Sequence, residues 1–416
     1  MTLRPDYSNA WLLSGVTSAT PVRGTVALTP SMVSPYITWE KVDNANLGFD
    51  LTLLNNRLTI TADIYQRTTK DMIGPAEAIP DIGGIAVDQR AKVNNATLRN
   101  RGWELSVNWS DQLKNGFSYG IGFNIFDYKA VVTKYNNPEG LIYNNHTGLV
   151  RNKGYYQGMD LGEIWGYEAN DLFLTNQEVD EYLRGVDMSF FKPNKDWQRG
   201  DLKYIDSNGD GKIDPGSGTL KDHGDLKIIG NTTPRYSFGL NLHAGYKGFE
   251  VSALFQGVMK RDFPMAASTY LFSGDSNFFK EHLDYYNVYN PGAYLPRLTK
   301  PDSPEYNANV GYNTSRYLLN AAYMRLKNLM ISYNFQPKLV KKMGLENLKV
   351  YFTCDNLFTI DNLRDVLDPE TLNQVNTWAG GSNETAPGLT SPMKQNGNGK
   401  VYPLNKNYVF GIEFTF

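Results

Sequence analysis

Apolar and polar residues alternate with a period of two along several stretches of this chain. The last eleven residues read KNYVFGIEFTF. Tyr408, Phe410, Ile412, Phe414 and Phe416 fall on one face of a strand; Asn407, Val409, Gly411, Glu413 and Thr415 fall on the other. The same phase recurs at Leu47, Phe49, Leu51 and Leu53, and after the turn Leu54–Arg57 at Leu58, Ile60, Ala62 and Ile64. The Asn55–Asn56 pair suits the positive φ of a hairpin turn. Trp103, Leu105, Val107 and Trp109 alternate with Glu104, Ser106, Asn108 and Ser110, and a short turn leads to Phe117, Tyr119, Ile121, Phe123 and Ile125. Tyr236 to Tyr246 and Phe249 to Phe255 form a further pair about Lys247-Gly248. Arg325 to Phe335 reads as a strand of less regular phase, a short basic turn or helix follows at Pro337 to Met343, and Leu348, Val350 and Phe352 alternate again.

About nine strands result, joined alternately by short turns and long loops, the loops at about 134–233, 263–320 and 359–405. Residues 1–35, with Pro5, Gly15, Pro21, Gly24, Pro30 and Pro35, read as an irregular extracellular loop segment, and 36–416 as the strand-bearing portion. In the first long loop, Thr175 and Glu178 form a capping box that predicts a short helix. Short connections on one side and long ones on the other are the arrangement of an outer-membrane barrel. Strands of about eleven residues, tilted ~45°, cross its ~25 Å apolar band. The predicted fold is all-β: an antiparallel transmembrane β-barrel, present in part, with long extracellular loops. The plainer alternative is a soluble β-sandwich or propeller, but loops of fifty or more residues are uncommon inside compact domains.

Composition narrows the choice. The formal net charge of −2 gives no basic bias toward nucleic acid. The 27 Tyr, 20 Phe and 7 Trp suit interface girdles as well as β cores. No apolar run is long enough for a spanning helix, which leaves a barrel open. Cys354 is the single cysteine, on an apolar face, and reads as an inert thiol. Met1 to Tyr7 lacks the basic start and apolar segment of a secretory signal.

ITWEKVDNANLGFDLTLLNNRLTITADIYQRTTKDMI (37–73), NRGWELSVNW (100–109), GDLKYIDSNGDGKID (200–214) and IIGNTTPRYSFGLNLHAGYKGFEVSALFQG (228–257) resemble the SusC/RagA-type TonB-dependent outer-membrane transporters. AAYMRLKNLMISYNF (321–335), KVYFTCDNLFTI (349–360) and YVFGIEFTF (408–416) continue the resemblance in the family's order. The resemblance implies a barrel of twenty-two strands around a plug, set in outer-membrane lipid. A SusD-like surface lipoprotein closes it, and it imports oligosaccharides or other oligomers on energy from TonB. The match covers only the C-terminal part of such a protein, without a plug-like region, so the expectation is a partial wall that cannot transport alone. Other classes stay open: a soluble or surface-exposed glycan- and calcium-binding module, or a secreted β-rich glycosidase, for which no facing carboxylate pair is evident.

Two sets of residues carry candidate chemistry. Asp206, Asn208, Asp210 and Asp214, with the carbonyl of Lys212 and with Gly211 at the turn, have the spacing of a calcium loop, although Ser217 stands where a bidentate Glu belongs. The expected cofactor is a structural Ca2+; the alternative is an Asx-rich turn held by its own hydrogen bonds. Trp165, Trp197 and Trp378 in the loops are candidates for stacking on sugar rings, against loop packing as the plainer role. Glu104 and Glu413 are expected to face the lumen. His146, His223, His243 and His282 are scattered without metal-ligand spacing, so an enzyme is not expected.

Overall fold

A computed structural model describes residues 6–12, 22–28, 34–74, 91–138, 140, 142, 155–169, 171–192, 196–264, 280–300, 304–364, 367–372 and 403–416. Nine strands form one antiparallel meander: β1 (Lys41–Leu53), β2 (Leu58–Gly74), β3 (Val93–Gln112), β4 (Ser118–Lys134), β5 (Arg235–Tyr246), β6 (Phe249–Lys260), β7 (Tyr323–Asn334), β8 (Asn347–Asp355) and β9 (Asn407–Thr415). Each pairs with the next in sequence, and a short strand at Thr359–Asp361 adds to β7 beside β8. The sheet is open, with β1 and β9 at its edges.

The register explains the alternation. One cross-strand row runs Leu53, Leu58, Trp109, Ile121, Leu242, Ala253, Leu329, Cys354, Tyr408, apolar at every strand. The row beside it runs Thr52, Thr59, Asn108, Gly122, Asn241, Leu254, Asn328, Asp355, Asn407, polar or glycine everywhere but Leu254. A period of two along each strand thus becomes two continuous faces across the sheet. The apolar face is bare: Leu47 is 68% exposed and Phe410 69%. The uneven phase of β7 has a local cause. Leu254 pairs with Asn328 but Phe255 with Leu326, so Lys327 is an extra residue in a bulge.

The connections fall into two kinds. Leu54, Asn55 and Asn56 take positive φ in the β1–β2 turn, as do Lys247 (48°) and Gly248 (90°) in the two-residue β5–β6 turn. On the other side β2, β3 and β4 run well beyond their apolar alternation, from Gly74, Val93 and to Lys134. The irregular segment expected over residues 1–35 contains a hairpin instead, Asp6–Leu12 paired with Val22–Leu28; strand formation there needs only backbone pairing, which the prolines at its margins permit.

The buried core does not lie in the sheet. It is built from the long loops: Ile142, Tyr167, Phe173, Met188, Leu202, Tyr204, Ile213 and Leu226 from the first, Leu295, Ala308 and Tyr317 from the second, and Leu363 and Leu372 from the third. The loops therefore pack as a cap with a core of its own. The helix α1 (Asn176–Leu183) sits there as expected. The Thr175 hydroxyl accepts from the Glu178 N–H (3.1 Å), and the Glu178 carboxylate accepts from the Leu174 N–H (2.9 Å).

Candidate functional site

The inner face of the wall and the cap above it are the parts able to meet a solute. Glu104 lies on the polar face, opposite Asp63, and Glu413 lies opposite Lys349, as the alternation requires. Asn328 donates to Thr353 (3.0 Å) and Asp355 (2.9 Å), and the Thr61 hydroxyl donates to Asp50 (2.7 Å). This surface is a field of amides, hydroxyls and carboxylates.

A second polar centre was not legible in the sequence. Arg325, buried on the polar face of β7, donates to Asp368 (2.8 Å) and the Thr359 hydroxyl (2.7 Å) and forms an ion pair with Glu370 (3.1 Å), to which Lys327 in the bulge donates (2.8 Å). Leu404 N–H also reaches Asp368 (3.2 Å). The two described ends of the third long loop are thereby tied to the wall. Cations inside a strand of broken phase were the only hint.

The cap is keyed by charge. Asp201 is fully buried. It accepts from Lys192 Nζ (2.7 Å), also fully buried, and from Arg297 Nε (2.6 Å), Asn309 Nδ2 (2.8 Å) and the Gln198 N–H (2.9 Å). Lys192 Nζ also lies 4.5 Å from the Trp197 ring centroid. Around this centre Phe191 stacks on Tyr204 at 4.1 Å, and Tyr167 and Tyr312 meet Phe191 edge-on. Burial holds the Tyr204 phenol well above its ordinary pKa, and its hydroxyl donates to the Ala308 carbonyl.

These contacts correct the expectation for two of the tryptophans. Trp165 and Trp197 are each 6% exposed, inside the apolar core of the cap. Side chains already cover them, so no ring face is free for a sugar. Trp378 lies outside the described residues.

The 206–214 loop is built as an Asx ladder. Asp206 accepts from the N–H groups of Gly209 (2.7 Å) and Gly211 (2.9 Å), Asn208 from Asp210 (3.0 Å), and Asp210 from Lys212 (2.8 Å). Gly211 takes φ +80°, which the turn demands. The carboxylate of Asp214 turns to the Gly216 N–H (2.7 Å), while buried Asp225 accepts from Ser207 (2.6 Å) and Asp214 (3.0 Å). Burial raises the Asp225 pKa above the usual carboxylate range. No group of three or more His, Cys, Asp or Glu converges among the described residues. The oxygen donors suit a hard cation in kind, with the Asn208 amide and Lys212 carbonyl needed to complete a set. Cys354 is buried and free, consistent with an inert thiol.

The family model described as "TonB dependent receptor-like, beta-barrel" matches residues 2–246, more than half of the chain. The chain belongs to the TonB-dependent receptor β-barrel family. Among curated relatives, TonB-dependent receptor P3 of Formosa agariphila is 27% identical over 339 residues, covering 80% of this chain and 31% of its own length. TonB-dependent receptor SusC of Bacteroides thetaiotaomicron is 25% identical over 347 residues, covering 82% of this chain and 30% of its own. The solved RagAB peptide transporter shares the fold, with TM-score 0.61 at 21% identity over 99% of this chain and 38% of that one. The same assembly in its "open-open" state gives 0.63 at 20% identity. The chain spans about a third of the length of the curated relatives it matches. Receptors of this family are outer-membrane transporters and not enzymes, so the apolar rows of the wall face lipid and the polar rows face the barrel interior.

Proposed function

We propose that this chain forms the C-terminal part of the wall of an importer of oligomeric substrates, energised through TonB and served by a SusD-like surface lipoprotein. The observation that carries the reading is the pairing of a continuous outward apolar face with a polar inward one, beneath a packed cap of loops. A soluble binding module has no use for nine strands of bare apolar surface. The open edges point the same way. Unpaired N–H and C=O groups in hydrocarbon cost several kcal/mol each. Strands β1 and β9 run in the same direction, so joining them directly gives a parallel pair; further strands must complete the ring, and TonB acts through a plug supplied outside these residues.

For the substrate, the Asn-rich inner rows favour neutral, hydroxyl-bearing oligomers, and glycans come first; the similarity to RagAB makes peptides the competing cargo. A strain lacking the gene, supplied with single oligosaccharides or peptides as sole carbon source, tests this. Lost growth on an oligosaccharide, and co-purification of a surface lipoprotein with the tagged full-length protein, are expected. Unchanged growth on every oligosaccharide refutes glycan import, and recovery of the protein from the soluble fraction refutes the wall itself. In the 206–214 loop we propose a structural Ca2+ held by Asp206, Asn208, Asp210 and the Lys212 carbonyl, on the strength of spacing and of a ladder that curls the backbone about those oxygens.

A further inference from the structure

On the outward face the last apolar row is Leu47, Ile64 and Trp103; it ends on β4 in Asp127, whose carboxylate is taken by Arg235 (2.6 Å), and the row above it is Ala45, Gln66, Arg101 and Lys129. The outward positions climbing β1 read Ala45, Asp43, Lys41, and their partners on β2 read Gln66, Thr68, Lys70. On β3 the next outward positions are Arg101 and Arg99, opposite Gln66 and Thr68 on one side and Lys129 and Val131 of β4 on the other. Five cations thus face outward on four adjacent strands, at the loop side of the apolar band. Three have carboxylates: Lys41 with Asp71 (3.0 Å), Lys70 with Asp43 (2.5 Å) and Lys129 with Asp160 (2.7 Å). The two arginines do not. Arg101 gives its Nε to the neutral amide oxygen of Gln66 (2.6 Å), and Arg99 forms no ion pair among the described residues. One row lower on the same face stands Trp103, partly exposed. Trp at this position marks the interface level, where apolar chain gives way to lipid headgroup.

We propose that Arg99, Arg101 and Lys129 form a binding site for the phosphate of an anionic lipid headgroup in the outer leaflet. Arg99 and Arg101 are two residues apart on one face, roughly 6.6 Å along the strand, and Lys129 is the direct cross-strand neighbour of Arg101. A phosphate set between them meets two guanidinium forks and an ammonium. The apolar rows beneath, from Leu47, Ile64 and Trp103 downward, continue into the acyl chains of the same lipid. Charge complementarity and that continuity select a lipid over a soluble anion. The site rests on the membrane placement of the wall and is independent of the cargo.

The test uses the full chain in detergent, exposed to an equimolar mixture of phosphatidylglycerol and phosphatidylcholine, with retained lipid counted by native mass spectrometry. The expected result is preferential retention of phosphatidylglycerol, at about fivefold for each uncompensated cation, so roughly 30-fold for the pair. The preference is lost in R99S/R101S/K129S, kept in R99K/R101K, and kept in Arg67→Ser, whose side chain is on the opposite face of β2. Equal preference in the triple-serine variant overturns the site. Complete displacement of the lipid by millimolar inorganic phosphate overturns the choice of a lipid as ligand.

Discussion

Asp201→Ala removes one carboxylate from the centre of the cap and leaves Lys192, fully buried, without its counter-charge. The cost can be worked out contact by contact. Arg297 keeps partial access to solvent and recovers hydration. Asn309 retains the Glu305 carbonyl as acceptor (2.9 Å), and its own oxygen still accepts from the Leu202 N–H (2.7 Å). Lys192 retains only the Trp197 ring described above, worth about 2 kcal/mol when desolvated. Removing one partner of a buried pair costs about 3–5 kcal/mol, and the contacts that survive here place the change near 3 kcal/mol. The partly exposed pair Lys203–Glu178 (2.8 Å) is the internal comparison, worth about 1 kcal/mol or less. Hydrogen exchange of cap amides reads the difference. About 3 kcal/mol raises the open population roughly a hundredfold, with wall amides of β3 and β4 unchanged as control. Exchange in Asp201→Ala within about twofold of wild type, or equal to that of Glu178→Ala, refutes the claim that this carboxylate holds the loops together.

Three further outcomes follow from the same contacts. Val107→Arg puts charge into lipid at about 2–4 kcal/mol near the midplane, while Asn108→Arg faces the lumen and stays mild; membrane fractionation with heat-modifiability on gels measures both, and equal effects refute the assignment of faces. Glu168 is held below the usual carboxylate range by its bond to Lys227 (2.7 Å), with the Ser207 hydroxyl adding to it. Its contribution is present above the unfolded value of about 4.3 and is lost as pH falls through its lower folded value. The cap should therefore melt at a lower temperature on acidification, and Glu168→Gln should flatten that dependence. Calorimetry on the 206–214 loop should register one Ca2+ taken up and none in Asp206→Ala; a flat titration leaves the Asx ladder as the whole account of the motif.

How far the sequence could be read depended on whether a residue's environment is set by its strand or by distant chain. Nine strands, the Leu54–Arg57 and Lys247-Gly248 turns and the Thr175 cap are local features, and all were legible. The upper parts of β2, β3 and β4 were not, because beyond the hydrocarbon band both of their faces are polar and alternation disappears: Gln66, Thr68, Arg99 and Arg101 sit outward where apolar residues sit lower down. Trp165 and Trp197 misled for a related reason. A loop aromatic carries no periodic mark to tell a covered ring from an exposed one: Trp165 meets His223, far along the chain, and Trp197 meets Phe191, Lys192 and Tyr204 only because the irregular backbone folds them round it. Asp201 gathers Lys192, Arg297 and Asn309, the last 108 positions distant, which no window along the chain could connect.

The two regions therefore answer to different solvents. The wall has almost no core and derives its stability from backbone ladders together with lipid outside, so its apolar residues stay bare until a membrane covers them. The cap stands in water and must bury its own apolar surface, which it does with aromatic rings around one charged centre. Arg325 sits at the junction, tying the third loop to β7 through Asp368 and Glu370. A cap fixed to the wall at such points keeps the shape that its own core gives it, whatever the bare face of the wall meets.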